Sequence, residues 1–251
     1  MAGIDSEYSF SLTTFTQGGK LIQIEYALNA VNNGVSALGI KAKDGVVLAT
    51  EKRLHSPLMD PQTFKKIENI SSGVGVVYAG MAPDYRVLVR QGRKRAVNYK
   101  ATYGEDVPCA QATRELANIM QEFTQSGGVR PFGVSMMVAG YDKSTKTPQL
   151  FQVDPSGTFF GWKASAIGKN YQSMKAFLEK RYREDLPLQD AIHVAILTLR
   201  ENAEGALTNE NIEIGIVDEK DGVFRLLTPA EVQDYLEEVQ HIHHPLINST
   251  F

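Results

Sequence analysis

The order in which helix-like and strand-like segments follow one another constrains this chain most. At four places two short apolar runs flank a polar turn. Val35 to Ile40 and Val46 to Thr50 flank Lys43-Asp44-Gly45. Phe64 to Ile70 and Val74 to Ala79 flank Ser71-Ser72-Gly73. Val134 to Tyr141 and Leu150 to Val153 flank a turn over 142–148. Ile212 to Val217 and Val223 to Leu227 flank Asp221-Gly222. Asp-Gly between β-branched runs is a hairpin signal, so the spacing predicts four hairpins. Helical stretches come in consecutive pairs, 83–102 with 108–125 and 169–183 with 188–203, broken at Pro108 and Pro187. An earlier helix carries Leu21, Ile24, Leu28 and Val31 on one stripe. Asn33-Gly34 ends it, with Gly34 expected in the left-handed cap. Thr228-Pro229-Ala230-Glu231 opens a last helix with a capping box and proline at its first position.

Hairpin, hairpin, helix pair, hairpin, helix pair, hairpin, helix excludes the strand–helix alternation of a parallel α/β fold. It predicts an α+β arrangement, sheet packed on sheet with helices outside. A length of 251 residues admits one domain or two. No repeat, linker or low-complexity stretch divides the chain, so one domain is expected over 1–241, followed by a polar tail over 242–251. Residues 1–17 are rich in Ser, Thr, Gly and Gln and are expected to stay mobile until a partner orders them.

Twenty-six Lys plus Arg against 29 Asp plus Glu leave a net charge of −3, without the basic excess of a nucleic-acid binder. With 43% hydrophobic and 22% charged residues, disorder, collagen and a coiled coil are excluded. Cys109 is the one cysteine, which excludes an internal disulfide framework and a cysteine-based zinc site. No apolar run reaches the roughly 18 residues of a membrane span, and the N-terminus lacks a signal-peptide layout. A place in the cytoplasm or nucleus is therefore expected, and the sequons at Asn69 and Asn248 are read as chance matches.

Chemistry-bearing motifs are sparse. His241, His243 and His244 crowd the tail with no acidic or cysteine partner beside them, His55 stands alone, and His193 sits in a helix as a packing residue. Cys109, in the first turn of a helix, reads as a buried structural thiol. Gly73-Val74-Gly75 lacks the third glycine of a dinucleotide fingerprint and reads as a turn. The basic run Arg90 to Arg95 reads as a solvated face or a subunit contact.

Residues 8–27, YSFSLTTFTQGGKLIQIEYA, change that picture. They resemble the N-terminal signature of the α-type subunits of the 20S proteasome, whose core is Gly-Lys/Arg-Leu-x-Gln-Ile/Val-Glu-Tyr-Ala; here it is Gly19-Lys20-Leu21-Ile22-Gln23-Ile24-Glu25-Tyr26-Ala27. The likeness continues through Ala37-Leu38-Gly39-Ile40, Asp44 to Ala49, Lys66-Ile67 and Ala79-Gly80, over roughly residues 5–240. Within that family YSFSLTTF, TQSGGVRPFGVS, FQVDPSG and GKNY with FLEKRYREDL look like the type-2 branch. The resemblance implies a four-layer αββα sandwich of the N-terminal-nucleophile hydrolase fold, with the helix over 19–33 lying across its top.

It also implies a role without catalysis. Active β-type relatives free a threonine after a glycine, and its own amine acts as base for its hydroxyl. The matching residue after Gly34 is Val35, which has no nucleophile. Ser36 would need a one-residue shift that turns its side chain to the other sheet face. Glu51 and Lys66 match the acidic and lysine positions of the active pocket and are read as remnants or as residues with other work.

The family implies a heptameric α ring on a β ring, in ubiquitin-dependent protein degradation, with other α subunits, β subunits and the C-terminal tails of regulatory particles as partners. Unfolded substrates pass through its pore, and no cofactor is implied. Residues 1–18 are then a gate tail, with Tyr8 and Tyr26 as the aromatics of the open gate. Ser9-Phe10 replaces the usual Asp-Arg and Gln17 the usual turn proline, which is expected to loosen the turn. Lys66, Gly80, Gly19, Leu21 and Glu25 match a pocket between neighbouring subunits that receives activator tails. From the residues alone, Lys66 beside Lys65 reads instead as a solvated strand-end lysine. The alternative for the whole chain is a free-standing, self-processing amidohydrolase of the same superfamily.

Overall fold

A computed structural model describes residues 15–53, 56, 58–61, 63–203 and 205–243. Among them the chain runs α1 (Ile22–Asn32), β1 (Ala37–Lys41), β2 (Gly45–Glu51), β3 (Ile67–Ser71) and β4 (Val74–Gly80). Next come α2 (Ala82–Tyr103), α3 (Cys109–Glu122), β5 (Val134–Asp142), β6 (Thr147–Val153), β7 (Phe159–Gly161) and β8 (Ala164–Ile167). It ends with α4 (Tyr171–Arg181), α5 (Leu188–Asn202), β9 (Ile212–Asp218), β10 (Phe224–Leu226) and α6 (Pro229–His243). None of the described helices is long and apolar enough to cross a membrane.

Alternation along the strands sorts the side chains into three cores. On β2, Val46 and Leu48 point between the two sheets, while Val47 and Ala49 point toward α4, α5 and α6. On β5, Met137 and Ala139 face the other sheet, while Met136 and Val138 face α2 and α3. Because both faces of these strands are buried, they read in sequence as unbroken apolar runs. One sheet has the order β10-β9-β2-β1-β8 and the other β3-β4-β5-β6-β7. The four layers are therefore helix, sheet, sheet, helix, as expected of the αββα sandwich.

All four expected hairpins form as antiparallel pairs. Two strands were not foreseen. β7 and β8 have three and four residues, too few to show a period, yet β7 extends one sheet and β8 the other. The capping box forms reciprocally: Thr228 N donates to Glu231 Oε2 at 2.7 Å, and Glu231 N to Thr228 Oγ1 at 3.3 Å. α6 continues to His243, two residues past the boundary drawn for the tail.

Two glycine readings need correction. Gly34 is not a left-handed cap, since α1 ends at Asn33 with φ −88° and Gly34 N bonded to Val31 O. A Cβ there would lie 2.3 Å from Gly80 N, so close approach is what requires glycine. Gly75 belongs to β4 and not to the turn. A side chain on it would strike the Phe224 ring at 2.2 Å, and one on Gly215 would strike that ring at 2.4 Å.

Candidate functional site

Gly34, Val35 and Ser36 connect α1 to β1 and are held from three sides. Lys169 N donates to Gly34 O at 2.8 Å, Ser36 Oγ to Lys169 O at 2.5 Å, and Thr50 Oγ1 to Ser36 O at 2.7 Å. The cavity beside them, lined by Asn33, Val35, Glu51, Arg53, Lys169 and Asn170, encloses about 20 Å³. That is room for roughly one water molecule and not for a peptide. Val35 offers no lone pair to a carbonyl carbon, and Ser36 is 8% exposed with its hydroxyl engaged. Among the described residues, this position therefore offers neither a free nucleophile nor room for a peptide.

Lys66 closes the floor of this region. It is 2% exposed, so the reading as a solvated strand-end lysine does not hold; its neighbour Lys65 is the exposed one. Lys66 Nζ donates to Thr50 Oγ1 at 2.6 Å, Val35 O at 3.2 Å and Glu51 O at 3.3 Å. Its backbone N donates to Glu213 Oε2 at 2.8 Å. Burial lowers its pKa from about 10.5 to about 7, against the opposing pull of Glu213 and Glu51. Burial likewise raises the Glu213 carboxyl above its ordinary value despite the Lys66 N–H.

Gly80 stands at the end of β4 with φ +113°, and a Cβ on it would lie 2.1 Å from Gly133 O. Gly133 is pinned in turn: Met81 N donates to Gly133 O at 2.9 Å, and Gly133 N donates to Asp84 Oδ2 at 3.0 Å. Asp84 also takes a bidentate pair from Arg130, at 2.6 and 2.9 Å. Burial pushes its carboxyl up, but the Arg130 and Gly133 hydrogen bonds outweigh this and leave it below the ordinary range. Sequence reasoning missed this clamp. Asp84 and Arg130 are 46 residues apart, and nothing local marks them.

The other expected pocket residues lie at the opposite end of α1, roughly 16 Å away along its axis. Gly19 has φ +74° with open space around it, and Leu21 and Glu25 are half-buried. The structure thus brings Lys66, Val35, Gly34 and Gly80 together and leaves Gly19, Leu21 and Glu25 apart from them. A four-residue turn precedes α1, closed by Gly19 N to Thr16 O at 2.9 Å and Thr16 N to Lys20 O at 2.9 Å. Gln17 occupies its second position, where proline is favoured. Tyr26 is 55% exposed on α1. Tyr8, Ser9 and Phe10 lie outside the described residues, as do His55 and His244.

Residues read as structural behave so. Burial pushes the Cys109 thiol up to about 12. His193 bonds Glu238 at 2.7 Å and meets the Tyr235 ring edge-on. Within the basic run, Arg93 bonds Asn69 O and Glu68, and Arg95 pairs with Glu115.

The profile of the proteasome subunit family matches residues 31–217, most of the chain. The chain belongs to that family. A second profile, the N-terminal signature of the A-type proteasome subunits, matches residues 8–30 and makes it an α-type member. The proteasome alpha type-2-A subunit of Arabidopsis thaliana is 61% identical over 236 residues, 94% of this chain and 99% of that protein. The proteasome alpha type-2 subunit of Oryza sativa subsp. japonica is 59% identical over 236 residues, with the same coverage. Its namesake in Dictyostelium discoideum is 58% identical over 233 residues, 93% of this chain and 99% of that protein. This proteasome α subunit is non-catalytic: the family's nucleophile position holds Val35, with α1 still attached ahead of it.

Proposed function

We propose that this subunit builds the heptameric entrance ring, closes its pore with residues 1–18, and docks regulatory-particle tails in a pocket that includes Lys66. The observation that carries the reading is the α-type signature over residues 8–30, placed ahead of a nucleophile position that is filled and sealed. Neighbouring α subunits and the β ring are its partners, unfolded proteins pass its pore, and cytoplasm and nucleus are its sites of work. Tyr8 and Tyr26 join the open-gate cluster, with Ser9, Phe10 and Gln17 as this chain's departures from it. Exposure of Tyr26 supports that role. Removal of residues 2–10 should raise small-peptide hydrolysis by the assembled particle, and unchanged basal hydrolysis would remove the gate assignment.

Lys66 supports the docking role in a specific way. It is held among three neutral oxygens, and burial lowers its pKa to about 7, so a nearby carboxylate would favour its charged form. A tail carboxylate would have to open the Val35 and Glu51 contacts to reach Nζ; once there it adds to the pull of Glu213 and Glu51 and draws a proton onto the lysine. Docking should therefore take up protons at pH 7.5, seen as a dependence of calorimetric heat on the ionisation heat of the buffer. The probe is an apolar heptapeptide with a free C-terminus, titrated into assembled particles; its amidated form should bind at least tenfold more weakly. Equal affinity of the two forms would remove Lys66, Gly80, Gly19, Leu21 and Glu25 as a carboxylate pocket.

A further inference from the structure

The chain has seven methionines. Among the described residues Met120, Met136, Met137 and Met174 are fully buried and Met59 is half-buried, whereas Met81 is 41% exposed. Cys109 is buried as well, and its thiol, pushed up to about 12, offers no thiolate to an oxidant. The sulfur most open to solvent is therefore that of Met81.

Met81 stands where the anchored end of α1 is built. It follows Gly80 and is the N-cap residue of α2, with φ −83° and ψ 113°. Its N donates to Gly133 O at 2.9 Å, and its O accepts from Tyr85 N at 3.1 Å. Gly80 before it is set at φ +113°, and Asp84 after it accepts from Gly133 N at 3.0 Å. The backbone is thus held on both sides, and only the side chain has freedom.

That side chain lies over Gly133. A Cβ on Gly133 would be 2.9 Å from Met81 Sδ, 3.3 Å from its Cγ and 3.5 Å from Ala30 Cβ. The thioether therefore takes the place that a Gly133 side chain would fill, beside the last turn of α1. One apolar contact joins α1, the start of α2 and the entry to β5. An unbranched thioether suits such a gap because it adapts its shape to its neighbours.

We propose that Met81 is a peroxide-sensitive modification site whose sulfoxide loosens the C-terminal end of α1. A lone pair on Sδ attacks one oxygen of hydrogen peroxide, forming an S–O bond as the O–O bond breaks. The displaced hydroxide takes the remaining proton from the new S–OH group and leaves as water. Sulfur is oxidised by two electrons and peroxide is reduced by two. The product carries a polar oxygen on an atom that packs against Gly133 and Ala30, neither of which has a side-chain donor to offer it. Backbone at Gly80, Met81 and Gly133 is fixed by its own hydrogen bonds and close contacts, so α1 is the element that yields. This holds whether or not residues 1–18 gate a pore.

Graded hydrogen peroxide, applied to the full-length chain and to assembled particles, tests the site. Peptide mass spectrometry should find sulfoxide forming at Met81 roughly tenfold faster than at Met120, Met136, Met137 or Met174. Amide exchange over residues 28–34 should then rise about threefold, with that of β2 and β9 unchanged, and methionine sulfoxide reductases should reverse the rise. Met81→Leu keeps the apolar volume, and peroxide should leave its exchange over 28–34 as it was. Oxidation of Met81 no faster than the buried methionines, in the chain or in the particle, would overturn the proposal. So would oxidation that leaves exchange over 28–34 unchanged, or a rise that persists in Met81→Leu. Should that variant fail to fold, reversal by the reductases in wild type decides the same question.

Discussion

At its C-terminal end α1 runs into backbone, whereas at its N-terminal end it meets solvent. Gly34 and Gly80 approach too closely for any side chain, and Gly80 is pressed against Gly133 O. Asp84 and Arg130 then clamp Gly133 from the far side. At the other end Leu21 gives no side-chain cap, Phe15 is 67% exposed, and Lys20 pairs with Glu25 in the open at 3.3 Å. One helix is thus anchored where it enters the sandwich and lightly held where it takes up the N-terminal segment. The proposed gate role of residues 1–18 calls for this combination, because alternative positions of a gate must be close in energy while its base stays fixed.

The same substitution at the two ends gives the largest contrast. Gly80→Ala meets both a positive φ and a Cβ 2.1 Å from Gly133 O, and should cost about 3 kcal/mol or more. Gly34→Ala, with Gly80 N at 2.3 Å, should cost a similar amount. Gly19→Ala has open space and only the left-handed backbone to resist it, so roughly 1–2 kcal/mol is expected. Urea denaturation of the three variants measures this, and equal losses at Gly19 and Gly80 would break the contrast.

Lys66 gives the anchored end a pH signature. Its folded pKa of about 7 lies below the ordinary value of 10.5. Between those values the unfolded chain binds a proton that the folded chain does not, so this contribution makes stability rise with pH; below about 7 both states are protonated and the penalty is constant. The limiting slope is about 1.4 kcal/mol per pH unit. Cys109, raised to about 12, works in the opposite direction above its ordinary value of 9, as the unfolded thiol ionises first. The comparison of wild type with Lys66→Met, which keeps Cys109, isolates the lysine. Between pH 7 and 8.5 wild type should gain stability relative to the variant, and parallel curves would show that Lys66 stays fully charged.

A smaller effect is expected at the clamp. Asp84→Ala leaves Gly133 N without its acceptor and should cost about 2 kcal/mol. Lys20→Ala at the solvent end, an exposed pair, should cost under about 0.5 kcal/mol. Thermal melting separates the two.

Much of the fold was legible because its logic is local. Asp44-Gly45 and Asp221-Gly222 announce their hairpins, and Val46 to Ala49 reads as a strand because both of its faces are buried. β7 and β8 were hidden by length. The site was legible where it rests on chemistry that one residue can lack, as Val35 lacks a nucleophile. It was illegible where it rests on tertiary approach. Gly34 looked like a cap because its true neighbour, Gly80, is far along the chain. Lys65-Lys66 looked like a solvated doublet because sequence does not say which of the two turns inward. Asp84 and Arg130 are ordinary surface residues until the fold joins them.

A gain in stability, where the other variants lose it, tests the lightly held end most directly. Gln17 stands at the second position of the turn closed by Thr16 O and Gly19 N. Proline there would remove backbone freedom from the unfolded chain and should stabilise the turn by about 0.4–1 kcal/mol if its φ fits. Since this turn joins the N-terminal segment to α1, the gain would appear as slower amide exchange over residues 16–25, with the exchange of β1 and β2 unchanged. If residues 1–18 gate the pore as proposed, Gln17→Pro should also shift basal peptide hydrolysis by the assembled particle. Faster exchange over 16–25 would show that Gln17 holds the turn by contacts that proline cannot replace, and the N-terminal end of α1 would then be an anchor as well.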